Sequence, residues 1–162
     1  MIKPDHWIKS WGENGGVEPF APEQVNSASY DLRVSDHWIC PTRDPEEFTA
    51  ASVKLFPGEV VLASTMEFVN IPRTVACDLK LKSTLGRLWI NHSLAGWCDP
   101  GFSGQITLEL QNLGPVPFVL EAGRRIAQLI FIKMESEPTI AYGDSDSGSH
   151  YQGQTGTTRA RA

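Results

Sequence analysis

Short runs of branched and aromatic residues, punctuated by proline and glycine turns, predict a mainly β protein of sandwich or barrel type. The runs begin after Ser29. Turn signals at Pro57-Gly58, Asp99-Pro100-Gly101, Leu113-Gly114-Pro115 and Ala122-Gly123 separate them, and residues 106–111 alternate apolar and polar without a break. At 162 residues the chain fits one domain, large enough to bury a core without metal or disulfide staples.

In chain order, Pro4-Asp5 ahead of Ile8 and Trp11 predicts a short amphipathic helix, with proline near its start and an acid in its first turn. Residues 12–26, rich in glycine and proline, read as loop. Strands are expected at Tyr30 to Val34, Val60 to Ser64, Glu67 to Val69, Ala76 to Leu81, Leu88 to Ile90, Ile106 to Leu110, Phe118 to Leu120 and Ile126 to Ile132. After Tyr142 the composition changes to Gly143-Asp144-Ser145-Asp146-Ser147-Gly148-Ser149, which has little to bury and predicts a flexible segment. The expected division is a barrel domain over 1–142 and a C-terminal arm over 143–162, whose Tyr151 to Arg161 portion, unlike the segment before it, carries an aromatic, glutamines and two arginines suited to folding over a ligand.

Composition excludes several functions. A formal net charge of −5 argues against a general nucleic-acid binder, which needs a basic surface to displace counterions from phosphate. Cys40, Cys77 and Cys98 have no CxxC spacing, which argues for a reducing compartment, the cytosol by default. The N-terminus lacks a basic-then-apolar leader pattern, and no run approaches the roughly 18 apolar residues of a membrane helix. A soluble, unexported protein is expected.

The chemistry centres on one acid. In Asp99-Pro100-Gly101-Phe102-Ser103-Gly104-Gln105-Ile106-Thr107-Leu108-Glu109-Leu110-Gln111-Asn112, a tight turn feeds a strand whose Ile106, Leu108 and Leu110 share one face. Thr107, Glu109 and Gln111 share the other. Taken alone this is also the pattern of an ordinary half-exposed strand, Asp-Pro-Gly is a turn former, Arg87 could be a surface ion pair, and Gln128 an edge-strand polar residue. His92 reads as a hydrogen-bonded structural histidine.

The neighbouring segments decide more. Lys80-Leu81-Lys82-Ser83-Thr84-Leu85-Gly86-Arg87, Asn91-His92-Ser93-Leu94-Ala95-Gly96-Trp97-Cys98-Asp99 and Gly123-Arg124-Arg125-Ile126-Ala127-Gln128-Leu129-Ile130-Phe131 flank the acid-bearing strand in order. Weaker matches stand at Asn26-Ser27-Ala28-Ser29-Tyr30-Asp31-Leu32-Arg33 and at Tyr151-Gln152-Gly153-Gln154. This succession resembles the dCTP deaminases of the trimeric dUTPase-like superfamily.

The resemblance implies a distorted jelly-roll or β-barrel fold, a homotrimer with sites between subunits, and a closing C-terminal arm. It implies deamination of dCTP to dUTP and ammonia, feeding thymidylate synthesis, with Glu109 as general base and then acid and with Arg87 and Ser83 as its partners. The nucleotide site it implies comprises Lys82, Ser83, Thr84, Leu85, Gly86, Arg87, Ala95, Asp99, Thr107, Leu108, Glu109, Gln128, Tyr142, His150 and Gln154. Asp99 would activate a phosphate-attacking water, as in dUTPases, or contact the sugar, as in deaminases.

Zinc deaminases need a His or Cys followed two residues later by Glu, and then Pro-Cys-x-x-Cys. None of His6, His37, His92 or His150 has those partners. A zinc-free reaction is expected, with a side chain about 2.6 to 3.2 Å from the water as its base. Mg²⁺ would come with the triphosphate, held through phosphate oxygens rather than in a protein cage.

The chain also departs from the family pattern. His150 stands where lysine usually precedes the tail aromatic, and the loop between Arg87 and His92 is one residue shorter than usual. Ser93-Leu94-Ala95-Gly96-Trp97, Phe102-Ser103 and Gln128 look more like members that carry dUTP on to dUMP. Against that, Trp97 replaces a more common phenylalanine, and its larger ring would crowd a second water. The primary expectation is a deaminase that releases dUTP. A bifunctional, dUMP-forming enzyme, a dUTP diphosphatase alone, and a silent nucleotide-sensing or protein-binding module remain open alternatives.

Overall fold

The computed structural model describes residues 1–93 and 95–161. Helix α1 (Asp5–Trp11) leads into a wide turn at Gly12–Gly16. Strands β1 (Val17–Glu18), β2 (Tyr30–Ile39), β3 (Glu47–Thr49), β4 (Ser52–Leu55), β5 (Val60–Asn70) and β6 (Val75–Leu81) follow. A one-turn helix α2 (Ser83–Arg87) then precedes β7 (Ile90–Asn91), β8 (Trp97–Cys98), β9 (Ser103–Asn112), β10 (Phe118–Glu121) and β11 (Arg125–Lys133). Among the described residues the strands form a curled nine-stranded sheet, ordered β7-β9-β5-β2-β11-β6-β8 with β1 on β5 and β3 on β2, and a β10-β4 ribbon. The pairings are antiparallel throughout. The mainly β barrel-type expectation holds.

Burial explains the strand choice. Every second residue of β9 is buried, with Ile106, Leu108 and Leu110 inward, and each such side chain contributes about 1.5–3 kcal/mol on leaving water. Trp38, Tyr30, Phe131 and Leu79 fill the centre. Helix α1 inserts Ile8 and Trp11 into the same core, and the Trp11 indole meets Phe131 at 4.6 Å between ring centroids. No helix among the described residues is long and apolar enough to cross a membrane.

Three expectations change. The runs at 60–64 and 67–69 are one strand, β5, whose pairing with β9 shifts between Ser64 and Phe68. That irregularity is a bulge-like break, and it interrupts the alternation a reader counts along the sequence. Leu88 and Trp89 belong to a turn rather than a strand, with Trp89 at φ 63°, and pairing begins only at Ile90. The segment after Tyr142 is tied down: Arg73 donates to both Asp144 carboxylate oxygens, at 2.8 and 3.0 Å, and Asp144 also accepts the Ala141 N–H at 2.9 Å.

Candidate active site

Two glycines set the frame. Asp99-Pro100-Gly101-Phe102 is a four-residue turn closed by the Phe102 N–H donating to the Asp99 carbonyl at 3.1 Å, with Gly101 at φ 92°. Proline second and a positive-φ glycine third fit a type II turn. At Gly96 a Cβ would lie 2.4 Å from the Leu79 carbonyl oxygen, so only glycine lets the chain approach β6 there. The same Gly96 carbonyl accepts the Leu79 N–H at 2.7 Å, which fixes the entry to β8.

Between β8, β9 and the C-terminal arm lies a pocket of about 370 Å³. Its walls include Leu62, Ala95, Trp97, Asp99, Phe102, Thr107, Glu109, Tyr142, Tyr151, Gln154, Thr158 and Ala160. Glu109 is half-buried at the middle of β9, opposite Leu62, and burial pushes its carboxyl above the usual carboxylate range. Among the described residues no other side chain or backbone group pairs with that carboxylate. Asp99 is exposed at the rim, where its Oδ1 accepts the Trp97 indole N–H at 3.0 Å.

The arm runs along β9. Gln154 donates from Nε2 to the Gln105 carbonyl at 2.7 Å, while the Gln105 N–H donates to the Gln154 carbonyl at 2.9 Å. Further on, Thr158 N–H donates to Thr107 Oγ1 at 3.2 Å, and Thr157 Oγ1 donates to the His37 carbonyl at 2.7 Å. Arg159 reaches Glu46 and Glu47 on the far side. Gln154 lines the pocket, and its Oε1 is buried without a hydrogen-bond partner. Tyr142 accepts the Tyr151 N–H through its hydroxyl at 3.0 Å and packs edge-on against Phe102.

The anticipated site residues thus divide. Ala95, Asp99, Thr107, Glu109, Tyr142 and Gln154 come together in the pocket wall. Ser83, Thr84, Gly86 and Arg87 are exposed on α2 and do not line it, while Leu85 is buried beneath the helix. Lys82 gives its ammonium to Asp31 at 2.6 Å, beside Arg125 at 3.8 Å. Leu108 faces the core, Gln128 accepts the Ser29 hydroxyl at 3.2 Å on β11, and His150 is exposed. Leu94 lies outside the described residues.

Thr158 and Ala160 also line the pocket, and His37 anchors the arm. Nothing local marks His37, which meets the arm across 120 positions of chain. The repeated hydroxyls of Thr155 to Thr158 were the available hint for the arm. Among the described residues no three His, Cys, Asp or Glu side chains gather as a metal site.

A curled β barrel with an acid-bearing pocket covered by its own tail is of the dUTPase-like type. A solved dUTPase of EIAV superposes over 81% of this chain and 93% of its own with a TM-score of 0.54, at 18% identity. A 2'-deoxycytidine 5'-triphosphate deaminase from Agrobacterium tumefaciens gives a TM-score of 0.67 over 80% of this chain, at 23% identity, and this chain spans 47% of that one. These likenesses concern the fold.

Residues 2–134 match the model of the dCTP deaminase-like family. A protein of Pseudarthrobacter chlorophenolicus named "dCTP deaminase, dUMP-forming" is 39% identical over 164 residues, covering 90% of this chain and 86% of its own. One of Bifidobacterium adolescentis with the same name is 40% identical over 182 aligned positions, covering 100% and 94%. The chain belongs to the dCTP deaminase-like family, a family of enzymes acting in nucleotide metabolism.

Proposed function

We propose that this protein converts dCTP to dUMP, ammonia and pyrophosphate in one site, deaminating the base and then hydrolysing the triphosphate. The observation that carries the reading is Glu109, a half-buried carboxylate facing the pocket with no partner beyond its own backbone among the described residues. The relatives' names favour the dUMP-forming alternative over an enzyme that stops at dUTP.

Glu109 takes a proton from water as the oxygen adds to C4 of cytosine. It gives that proton to N3, then takes the proton of the new C4 hydroxyl and passes it to the amino group, so that the C4–N bond breaks, C4=O forms and ammonia leaves. A carboxyl raised by burial suits both roles, because a base that must later act as an acid works best nearer the working pH. Asp99 then accepts the proton of a second water that attacks the phosphate chain.

The pocket wall of a single chain holds two carboxylates and, among the described residues, no lysine or arginine. A triphosphate needs cations there, since burying its charge unpaired is far too costly. This supports a homotrimer in which Ser83, Thr84 and Arg87 of one protomer's exposed α2 face the Glu109 pocket of a neighbour. Mg²⁺ would arrive on the triphosphate, and the hard oxygen donors of Asp99 and the phosphates fit it; its contribution is charge neutralisation. The water that Glu109 deprotonates needs no zinc in this scheme. The site takes a nucleotide monomer rather than nucleic acid, in keeping with the chain's net charge of −5, and the setting is cytosolic.

The deciding experiment incubates the protein with dCTP and with dUTP, each with Mg²⁺, and measures ammonia and pyrophosphate. Equal ammonia and pyrophosphate from dCTP is the expected result. Ammonia alone would return the reading to a simple deaminase, and pyrophosphate from dUTP without ammonia from dCTP would leave a diphosphatase.

A further inference from the structure

Trp97 is an exposed tryptophan in the wall of a pocket, with 58% of its surface open in the single chain. An indole so placed gains little from burial, so its packing does not explain it. Its polar edge does more. Trp97 and Asp99 stand two positions apart at the end of β8, and both line the pocket, as side chains at i and i+2 of an extended segment do. Between them Cys98, buried and in register with Cys77 on β6, also lines the pocket. The Trp97 Nε1–H donates to Asp99 Oδ1 at 3.0 Å, and among the described residues this is the sole side-chain or backbone donor to that carboxylate.

The backbone beneath this pair is held on both sides. Gly96 is pressed against the Leu79 carbonyl, and Trp97 is in register with Asp78 of β6. Downstream, the closed turn Asp99-Pro100-Gly101-Phe102 fixes the Asp99 backbone. What remains free is rotation of the Asp99 side chain at the pocket rim, and the indole N–H removes it. One oxygen is occupied and the other is left to the pocket.

We infer that Trp97 is a positioning residue for the phosphate-hydrolysing half of the reaction, acting through Asp99 and not through the base-deaminating Glu109. This rests on the dUMP-forming reading above. In the step concerned, the water oxygen forms a bond to the α-phosphorus while the bond from that phosphorus to the bridging oxygen breaks. Pyrophosphate leaves with the electron pair, and the water's proton passes to the free Asp99 oxygen and on to solvent. An Asp99 free to rotate would present that oxygen in the attack geometry for only part of the time. The loss would fall on the second product and spare the first. Trp97 thereby sets how often dUTP is carried through to dUMP before it escapes.

The test compares the wild type with two variants, using dCTP and Mg²⁺ and reading ammonia, pyrophosphate and released dUTP together. Trp97→Phe keeps a ring and loses the N–H. Replacement of Trp97 by 3-benzothienylalanine keeps the bicyclic size and exchanges the N–H for sulfur. A lost hydrogen bond to a charged group predicts that the ratio of ammonia to pyrophosphate rises about tenfold in both variants, with dUTP accumulating. A rise with phenylalanine alone would assign the effect to ring size and overturn the inference. An unchanged ratio in both variants, or equal loss of both products, would also overturn it. A wild type that yields ammonia without pyrophosphate would instead overturn the dUMP-forming reading, and the inference with it, and is told apart because it requires no variant.

Discussion

Glu67 and Glu109 sit on the paired strands β5 and β9, and both are acids withdrawn from water, yet their surroundings are opposite. The Glu67 carboxylate is fully buried and saturated: it accepts the Arg33 side-chain Nε–H at 2.7 Å, the Arg33 backbone N–H at 2.8 Å and the Gln24 amide at 3.1 Å. Glu109 has a pocket in front of it and, among the described residues, no partner from elsewhere in the chain. One acid is satisfied within the fold, and the other faces a pocket. A buried charge is tolerated only when paired, so an unpartnered one beside a cavity points to something that fills the cavity.

The largest expected effect tests the first half of that contrast. Glu67→Ala leaves the Arg33 guanidinium and the Gln24 amide without their acceptor, and should cost about 3–5 kcal/mol of unfolding free energy, measured by denaturant titration at fixed protein concentration. A loss below about 1 kcal/mol, with activity falling instead, would move Glu67 into the site.

Next comes Glu109→Gln, which keeps the shape and removes the carboxylate proposed as the base. Ammonia release should fall at least about 100-fold, the lower range for a positioned acid or base, while the thermal midpoint stays near that of the wild type. If most ammonia release survives, the unpartnered carboxylate is only a surface acid in a groove.

A smaller effect asks where the missing partners of Glu109 reside. Arg87→Ala and Glu109→Gln protein, mixed in equal amounts, unfolded and refolded together, should recover about a quarter of wild-type activity, the random count for one site per interface in a closed trimer. A mixture as dead as its components, beside a wild-type control that recovers, would place Arg87 and Glu109 in one chain's site or deny the trimer.

The mildest effect is on the pH dependence of stability. Because burial holds the folded Glu109 pKa above its ordinary 4.5, the folded protein keeps a proton that the unfolded chain has lost. The wild-type margin over Glu109→Gln should be full below about 4.5 and shrink as pH rises through the folded value. Paired melting curves across that window check it, and a margin that does not change with pH would mean Glu109 is solvated like any surface acid.

Much of this architecture was legible before folding. The alternation of Ile106 to Gln111 set the two faces of β9, and Asp99-Pro100-Gly101 marked its entry turn. Both signals are local, because side-chain direction in a strand and the φ of Pro and Gly depend on adjacent residues. The bulge that joins 60–64 to 67–69 was not legible, since a register break is settled by the partner strand. Trp89 carries a strand-like signal because it is apolar and aromatic, but the turn at Leu88-Trp89 is closed by neighbours, with the Leu113 N–H donating to the Trp89 carbonyl at 2.9 Å.

The motifs and the order of the chain by themselves determined a mainly β protein of the dCTP deaminase-like family and singled out Glu109. The tertiary structure alone decided which acids are paired and which are open, because pairing of Glu67 with Arg33, Asp31 with Lys82 and Asp99 with Trp97 is a matter of distances. It also decided that the arm lies along β9 and reaches His37, a contact closed over 120 residues. Local chemistry fixes what a residue can do, and only the folded chain fixes what it meets.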